Sequence, residues 1–260
     1  MDPTKDTSPE FRRKFKWIKK LGNGSFGAVY LFESRLTREK FACKVAVDPG
    51  AQEALLREVA ILKRLHHRPN CLIMAYHPLG SLENYNFSTQ EALKVVHQCL
   101  RALKYLEEMA LFHRDIKEDN ILLKSISPLH VCLADFGLAV TSREGATNGG
   151  QLTHVAVEVY LGRGYSYIAD IWSLGVTALS LLRRFPKREA QCFFRARDRA
   201  QEAKYYERLL SEASSLHGYF GELVKHMLCT PDVRWTAVEC LRYLGEGHDA
   251  GPSRPVHGRS

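Results

Sequence analysis

No stretch of this 260-residue chain is long and apolar enough to cross a bilayer. The longest apolar run, Ile171 to Leu182, falls well short of the about 20 residues that a spanning helix needs. The first residues are polar and charged, broken by Pro3 and Pro9, and lack the apolar centre of a signal peptide. Cysteine occurs seven times, at Cys43, Cys71, Cys99, Cys132, Cys192, Cys229 and Cys240, but never as Cys-x-x-Cys. An odd count without that spacing suggests neither a zinc site nor a disulfide framework. Together these absences predict a soluble intracellular protein of the cytoplasm or nucleus, with no membrane partner. There is no internal repeat and no block of one charge. Lys and Arg number 37 against 29 Asp and Glu, for a net charge of +8. The basic residues are scattered, with short clusters at Arg12-Arg13-Lys14, Lys19-Lys20 and Arg183-Arg184. That pattern reads as a solvated surface rather than a nucleic-acid patch. No feature speaks to oligomeric state.

What the chain does have changes character along its length. Residues 1–14 read as a flexible leader and 245–260, rich in Gly, Pro, Ser and His, as a disordered tail. From Phe15 to Val47, short β-type runs alternate with turns: Lys16-Trp17-Ile18, Ala28 to Phe32, and Lys40 to Val45. Ala54, Leu55, Val59, Leu62 and Leu65 then recur at helical spacing. Ser88-Thr89-Gln90-Glu91 has the form of a capping box, and Val95, Val96, Leu100, Leu103 and Leu106 give the helix it opens an apolar face. The fold class is α+β, a small β-rich part followed by a larger helical one.

Gly22-Asn23-Gly24-Ser25-Phe26-Gly27-Ala28-Val29 lies between strand-like runs, which suits a hairpin over phosphates rather than a turn opening a helix. Glycines let backbone amides approach phosphate oxygens without side-chain clash. Lys44 follows inside an apolar strand, where a charge is costly unless paired. Nucleotide phosphate and Glu58, on the next helix, are the candidate partners. An edge-strand lysine and a helix-surface acid are the plain alternatives for those two residues taken singly.

Two polar strings complete the set. His113-Arg114-Asp115-Ile116-Lys117-Glu118-Asp119-Asn120 sits inside apolar flanks, and Ala134-Asp135-Phe136-Gly137 ends another strand-like run. In this order, after the glycine loop, they resemble the signature set of eukaryotic-type protein kinases over roughly Phe15 to Leu244. The resemblance implies a bilobal protein-kinase-like fold, with an N-lobe at about 15–76 and a C-lobe at about 77–244. It implies ATP and Mg²⁺ as cofactors, and nucleotide and a protein substrate as partners. Asp115 matches the catalytic base, and Lys117 a lysine typical of Ser/Thr-directed kinases. Lys44 and Glu58 match the phosphate-orienting pair. Asn120 and Asp135 match the Mg²⁺ ligands. Leu21, Gly22, Gly24, Gly27, Val29, Ala42, Met74, Ala75, His77 and Leu122 match positions around the nucleotide, with Met74 as gatekeeper and Ala75 to His77 as the hinge. His113 and Phe136 match a buried spine. Arg114 matches a residue that pairs with a phosphorylated or acidic group of the activation segment, where Thr141, Ser142 and Thr147 are candidate phosphosites. Glu158 is expected to pair with Arg234, and Asp170 to brace the catalytic-loop backbone. This last block argues against a small-molecule phosphotransferase.

The chain departs from the pattern in three places. Between His66 and Tyr76 about one strand with its connection, on the order of ten residues, is missing. Gln151 stands where Ser/Thr kinases have Thr, and His154 where they have an aromatic. Val157 and Trp235 replace prolines. The expected activity is transfer of the γ-phosphate of Mg-ATP to a protein Ser or Thr. The alternative is a catalytically impaired, kinase-like module that binds nucleotide or a partner, or an incomplete chain.

Overall fold

A computed structural model describes residues 9–24, 27–46, 52, 55–56, 58–59, 67–68, 71–141, 153–196 and 198–246. The Cα trace divides into two compact units, one running to Gly80 and including Ala134–Ala139, the other comprising Ser81–Leu133 and the chain from Val140 onward.

The smaller unit is a five-stranded antiparallel sheet. Its strands are β1 (Phe15–Gly24), β2 (Gly27–Ser34), β3 (Lys40–Val45), β4 (His67–Arg68) and β5 (Cys71–Ala75), in the order β1-β2-β3-β5-β4. Pairing register sorts the side chains by face. Val29, Lys44 and Leu72 lie opposite one another, as do Leu31, Ala42 and Met74, and they share one face. Ala28, Tyr30, Phe32, Cys43, Val45 and Ile73 occupy the other. Both faces are covered and, apart from Lys44, carry mostly apolar side chains at these positions, which is why Tyr30, Leu31 and Phe32 are all buried in succession. Gln52, Leu55, Leu56, Glu58 and Val59 are helical, with Leu55 and Glu58 buried.

Two sequence expectations need correction here. The leader does not extend to residue 14: Pro9–Lys14 forms a helix, α1. Phe11, 2% exposed, packs on the second face of the sheet, with its ring 5.2 Å from Phe32 and 4.7 Å from Phe15. A lone aromatic among charges carries no periodicity, so only the sheet's unfilled face reveals its place. The missing strand is present as well, reduced to His67–Arg68, which pairs with Leu72 and Cys71. Two residues suffice to cap the β5 edge, and so few leave no alternation to read.

The hairpin of β1 and β2 closes at the Gly24–Gly27 pair. Gly27 has φ +146°, and a Cβ there would overlap the Val45 carbonyl oxygen. At Gly22 nothing lies within 4 Å of such an atom. Gly27→Ala is therefore expected to destabilise the smaller unit by roughly 1–3 kcal/mol, through strain and backbone collision. Gly22→Ala should be close to neutral. Urea unfolding of both variants checks this, and equal midpoints would show that β3 moves aside without cost.

In the larger unit the long helix α2 (Thr89–Glu108) begins at a complete capping box, Ser88 with Glu91. Ala92, Val95, Val96, Cys99, Leu100, Leu103 and Leu106 form its buried face. After β6 (Leu111–Phe112), the hairpin β7 (Ile121–Ile126) and β8 (Leu129–Leu133) packs against α2. β9 (Val140–Thr141) pairs with β6. The short helix α3 (Val157–Tyr160) leads to α4 (Tyr167–Leu181), apolar nearly all round and correspondingly buried. Helices α5 (Lys187–Ala196), α6 (Arg199–Ser214), α7 (Gly218–Met227) and α8 (Ala237–Tyr243) complete the unit. The predicted tail is described only to Glu246; the rest of it lies outside the described residues. Among the described residues no helix is long and apolar enough to cross a membrane.

Candidate active site

The smaller unit brings three of the candidate residues together. β3 carries Lys44 inward, and only 2% of it is exposed. Its Nζ lies 2.8 Å from Glu58 Oε2 and 2.6 Å from Asp135 Oδ1. Burial works to lower the Lys44 pKa, but the two carboxylates outweigh it and hold the ammonium charged, above the ordinary lysine range. Glu58 also accepts the Phe136 N–H at 3.1 Å, and Asp135 Oδ1 the Gly137 N–H at 3.2 Å. Asp135 has φ +60°, a conformation few non-glycine residues adopt. Val29, Ala42 and Met74 share the sheet face of Lys44. Leu21 and Ala75 are exposed, and His77 accepts the Gly80 N–H at 3.1 Å beyond the end of β5. Gly22 and Gly24 lie within β1 and Gly27 begins β2.

The larger unit assembles the other three on the turn between β6 and β7. Asn120 Nδ2 donates to Asp115 Oδ2 at 2.7 Å and to the Asp115 carbonyl at 2.8 Å. Lys117 Nζ lies 3.0 Å from Asp115 Oδ2. Asn120 thus fixes the Asp115 carboxylate through its amide nitrogen, which leaves its carbonyl oxygen as the side chain's acceptor. Leu122 follows in β7, facing away from its buried neighbours Ile121 and Leu123.

Asp170 of α4 holds this turn from below. Its two oxygens accept the His113 and Arg114 N–H groups, each at 2.9 Å, and the Tyr165 hydroxyl at 2.8 Å. Burial pushes the Asp170 carboxyl above its ordinary range, while His113, the Tyr165 hydroxyl and the two amides oppose that. Arg114 has φ +71° and lies 5.5 Å from the Tyr165 ring centre. Tyr165 is a site residue that the sequence reading missed, because nothing local marks a tyrosine as the partner of a carboxylate five residues on.

The segment before α3 is anchored along its backbone. Tyr205 donates to the Thr153 carbonyl, Ser173 to that of His154 at 2.8 Å, and Tyr206 to that of Val155 at 3.3 Å. These anchors lie far off in sequence and leave no local signal either. Glu158 is buried and bridged to Arg234, with Nη1–Oε1 at 2.5 Å and Nη2–Oε2 at 3.1 Å. Val157 is the first helical residue after the Ala156 cap, where proline serves mainly to preset φ. Trp235 stacks on His226 at 3.7 Å, so this departure from proline gains a ring contact. Gln151, Ser142 and Thr147 lie outside the described residues.

The chain resembles known proteins over most of its length. The family model "Protein kinase domain" matches residues 15–244. Myosin light chain kinase A of Dictyostelium discoideum is 32% identical over an alignment of 204 positions, gaps included, that takes in 68% of this chain and 69% of that protein. Calcium/calmodulin-dependent protein kinase type 1 of Caenorhabditis elegans is 25% identical over an alignment of 279 positions, gaps included, that takes in 95% of this chain and 78% of that protein. Serine/threonine-protein kinase TAO1-A of Xenopus laevis is 36% identical over 200 residues, 66% of this chain but only 20% of its own length. With the charged triad of Lys44, Glu58 and Asp135, the Asp115–Asn120 turn and a family match across most of its length, the chain belongs to the protein kinase family.

Proposed function

We propose that the protein is a serine/threonine kinase that transfers the γ-phosphate of Mg-ATP to a protein hydroxyl. The observation that carries this is the Lys44 ammonium held between Glu58 and Asp135, at 2.8 and 2.6 Å. A buried cation kept charged by two acids is the group that phosphoryl transfer requires, because that reaction depends on positioned charge more than on covalent help. Asp115 accepts the proton of the attacking hydroxyl, and Asn120 orients it. Lys117, beside Asp115, offsets negative charge on the transferred group. Asp135 and Asn120 offer a carboxylate and a carbonyl oxygen, hard donors that fit Mg²⁺. When bound, that ion neutralises phosphate charge. Val29, Ala42 and Met74 offer the adenine an apolar wall. The serine/threonine assignment is supported by Lys117 two residues after Asp115, and by the likeness to the serine/threonine-protein kinase TAO1-A.

A second reading, nucleotide binding without turnover, is favoured by β4, which at two residues is the shortest strand of the sheet. Phosphate transfer from labelled Mg-ATP to mixed histones separates the two. Transfer that disappears in Asp135→Ala is the expected result. A folded parent protein that transfers nothing overturns the kinase reading, and a melting shift with Mg-ATP then reports the binding module.

A further inference from the structure

His154 is buried, 6% exposed, and its backbone carbonyl is held by the Ser173 hydroxyl. Three hydroxyls hold the carbonyls of Thr153, His154 and Val155 onto α4 and α6. The side chain instead reaches the catalytic turn. Nε2 lies 3.5 Å from Glu118 Oε2, and Glu118 stands between Lys117 and Asn120. Nδ1 lies 3.2 Å from Thr153 Oγ1, and the ring stacks on Phe185 at 5.6 Å. Nε2 makes no hydrogen bond at the present geometry, although it is fully enclosed. A buried ring nitrogen without a partner is costly, and the nearest group able to serve it is a carboxylate.

We propose that His154 is a positioning residue for the protein substrate, acting through Glu118 to fix the Thr153–Ala156 segment against the catalytic turn. The proposal rests on the kinase reading above. Glu118 lies three residues after Asp115 and two before Asn120, so the contact ties this segment to the turn that carries the candidate base. A proton on Nε2 donates to Glu118 Oε2 once the two close by a few tenths of an ångström, whether the ring is neutral or charged. A phenylalanine in its place would keep the stacking on Phe185 and lose the donor. The backbone anchors would be unaffected, since they use carbonyls alone.

Two measurements test this. In steady-state assays with mixed histones, His154→Phe should raise the KM for the acceptor protein about tenfold, the worth of a hydrogen bond to a charged group. The KM for ATP should stay within twofold. His154→Gln, which retains an N–H donor, should recover most of the loss. An unchanged acceptor KM in His154→Phe would show that the ring only packs, and would overturn the proposal. The second measurement is a urea double-mutant cycle on His154→Phe and Glu118→Gln, which reads the contact without activity. Unfolding constants that multiply independently would overturn the proposal even if the parent is an active kinase. Coupling in the cycle with no transfer by the parent would sink the kinase reading, and the substrate-positioning role with it, while leaving the contact established.

Discussion

Asp115→Asn is expected to leave the protein folded and to slow phosphate transfer by roughly 10²–10⁴-fold, the usual worth of a positioned general base. The substitution is close to isosteric and keeps an acceptor oxygen. Asn120 Nδ2 can therefore still donate as it does now at 2.7 Å, and its second bond, to the residue 115 carbonyl at 2.8 Å, is untouched. Asp170 goes on holding the His113 and Arg114 amides. What disappears is the anion beside Lys117, now 3.0 Å away, and with it the group able to take a proton from a hydroxyl. The measurement is a single-turnover transfer assay alongside a urea unfolding curve. Full activity in the variant would remove Asp115 from the chemistry, and a collapsed unfolding curve would assign it to the fold instead.

Arg234→Ala should cost the larger unit about 3–5 kcal/mol, the penalty for stranding a buried charge. Arg234 does more than pair with Glu158. Nε and Nη2 donate to the Cys229 carbonyl at 3.1 and 2.8 Å, Nη1 donates to that of Ile168 at 3.1 Å, and the guanidinium lies 4.9 Å from the Trp172 ring centre. One truncation would thus leave a buried carboxylate and two carbonyls without these donors. At about 2–4 °C per kcal/mol for a protein of this size, the melting temperature should fall by on the order of 10 °C. Arg234→Lys would keep the charge but lose the fork, and should fall between the two. A midpoint matching the parent's in Arg234→Ala would show that Glu158 is served by another group.

Much of this architecture was legible before any coordinates. The capping box at Ser88 and the edges of β3 follow from residue type and spacing, whereas the Glu158–Arg234 bridge and the Asp170 brace were expected from the resemblance to protein kinases. Each is either local or belongs to a motif whose parts lie in fixed order. Three things were not legible. A two-residue β4 has no alternation, so its pairing with β5 is a tertiary fact. The backbone anchors on Thr153, His154 and Val155 come from Ser173, Tyr205 and Tyr206, which in the sequence read as ordinary helix residues. The contact of His154 with Glu118 joins two positions with no shared pattern. Lys44 falls between these cases. Its pairing with Glu58 was foreseen, whereas the shorter approach to Asp135, a residue with φ +60° far along the chain, was not.

The seat of Phe11 bears on where this protein can be cut. The family match begins at Phe15, four residues past the ring that covers Phe32 and Phe15. A polypeptide trimmed to that boundary would lose the one ring of α1 from the cluster of Tyr30, Phe32, Cys43 and Val45 and expose more of that apolar face, the kind of surface that recruits other chains. A chain beginning at Phe15 is therefore expected to self-associate more readily than one that retains α1, which light scattering on the two would read.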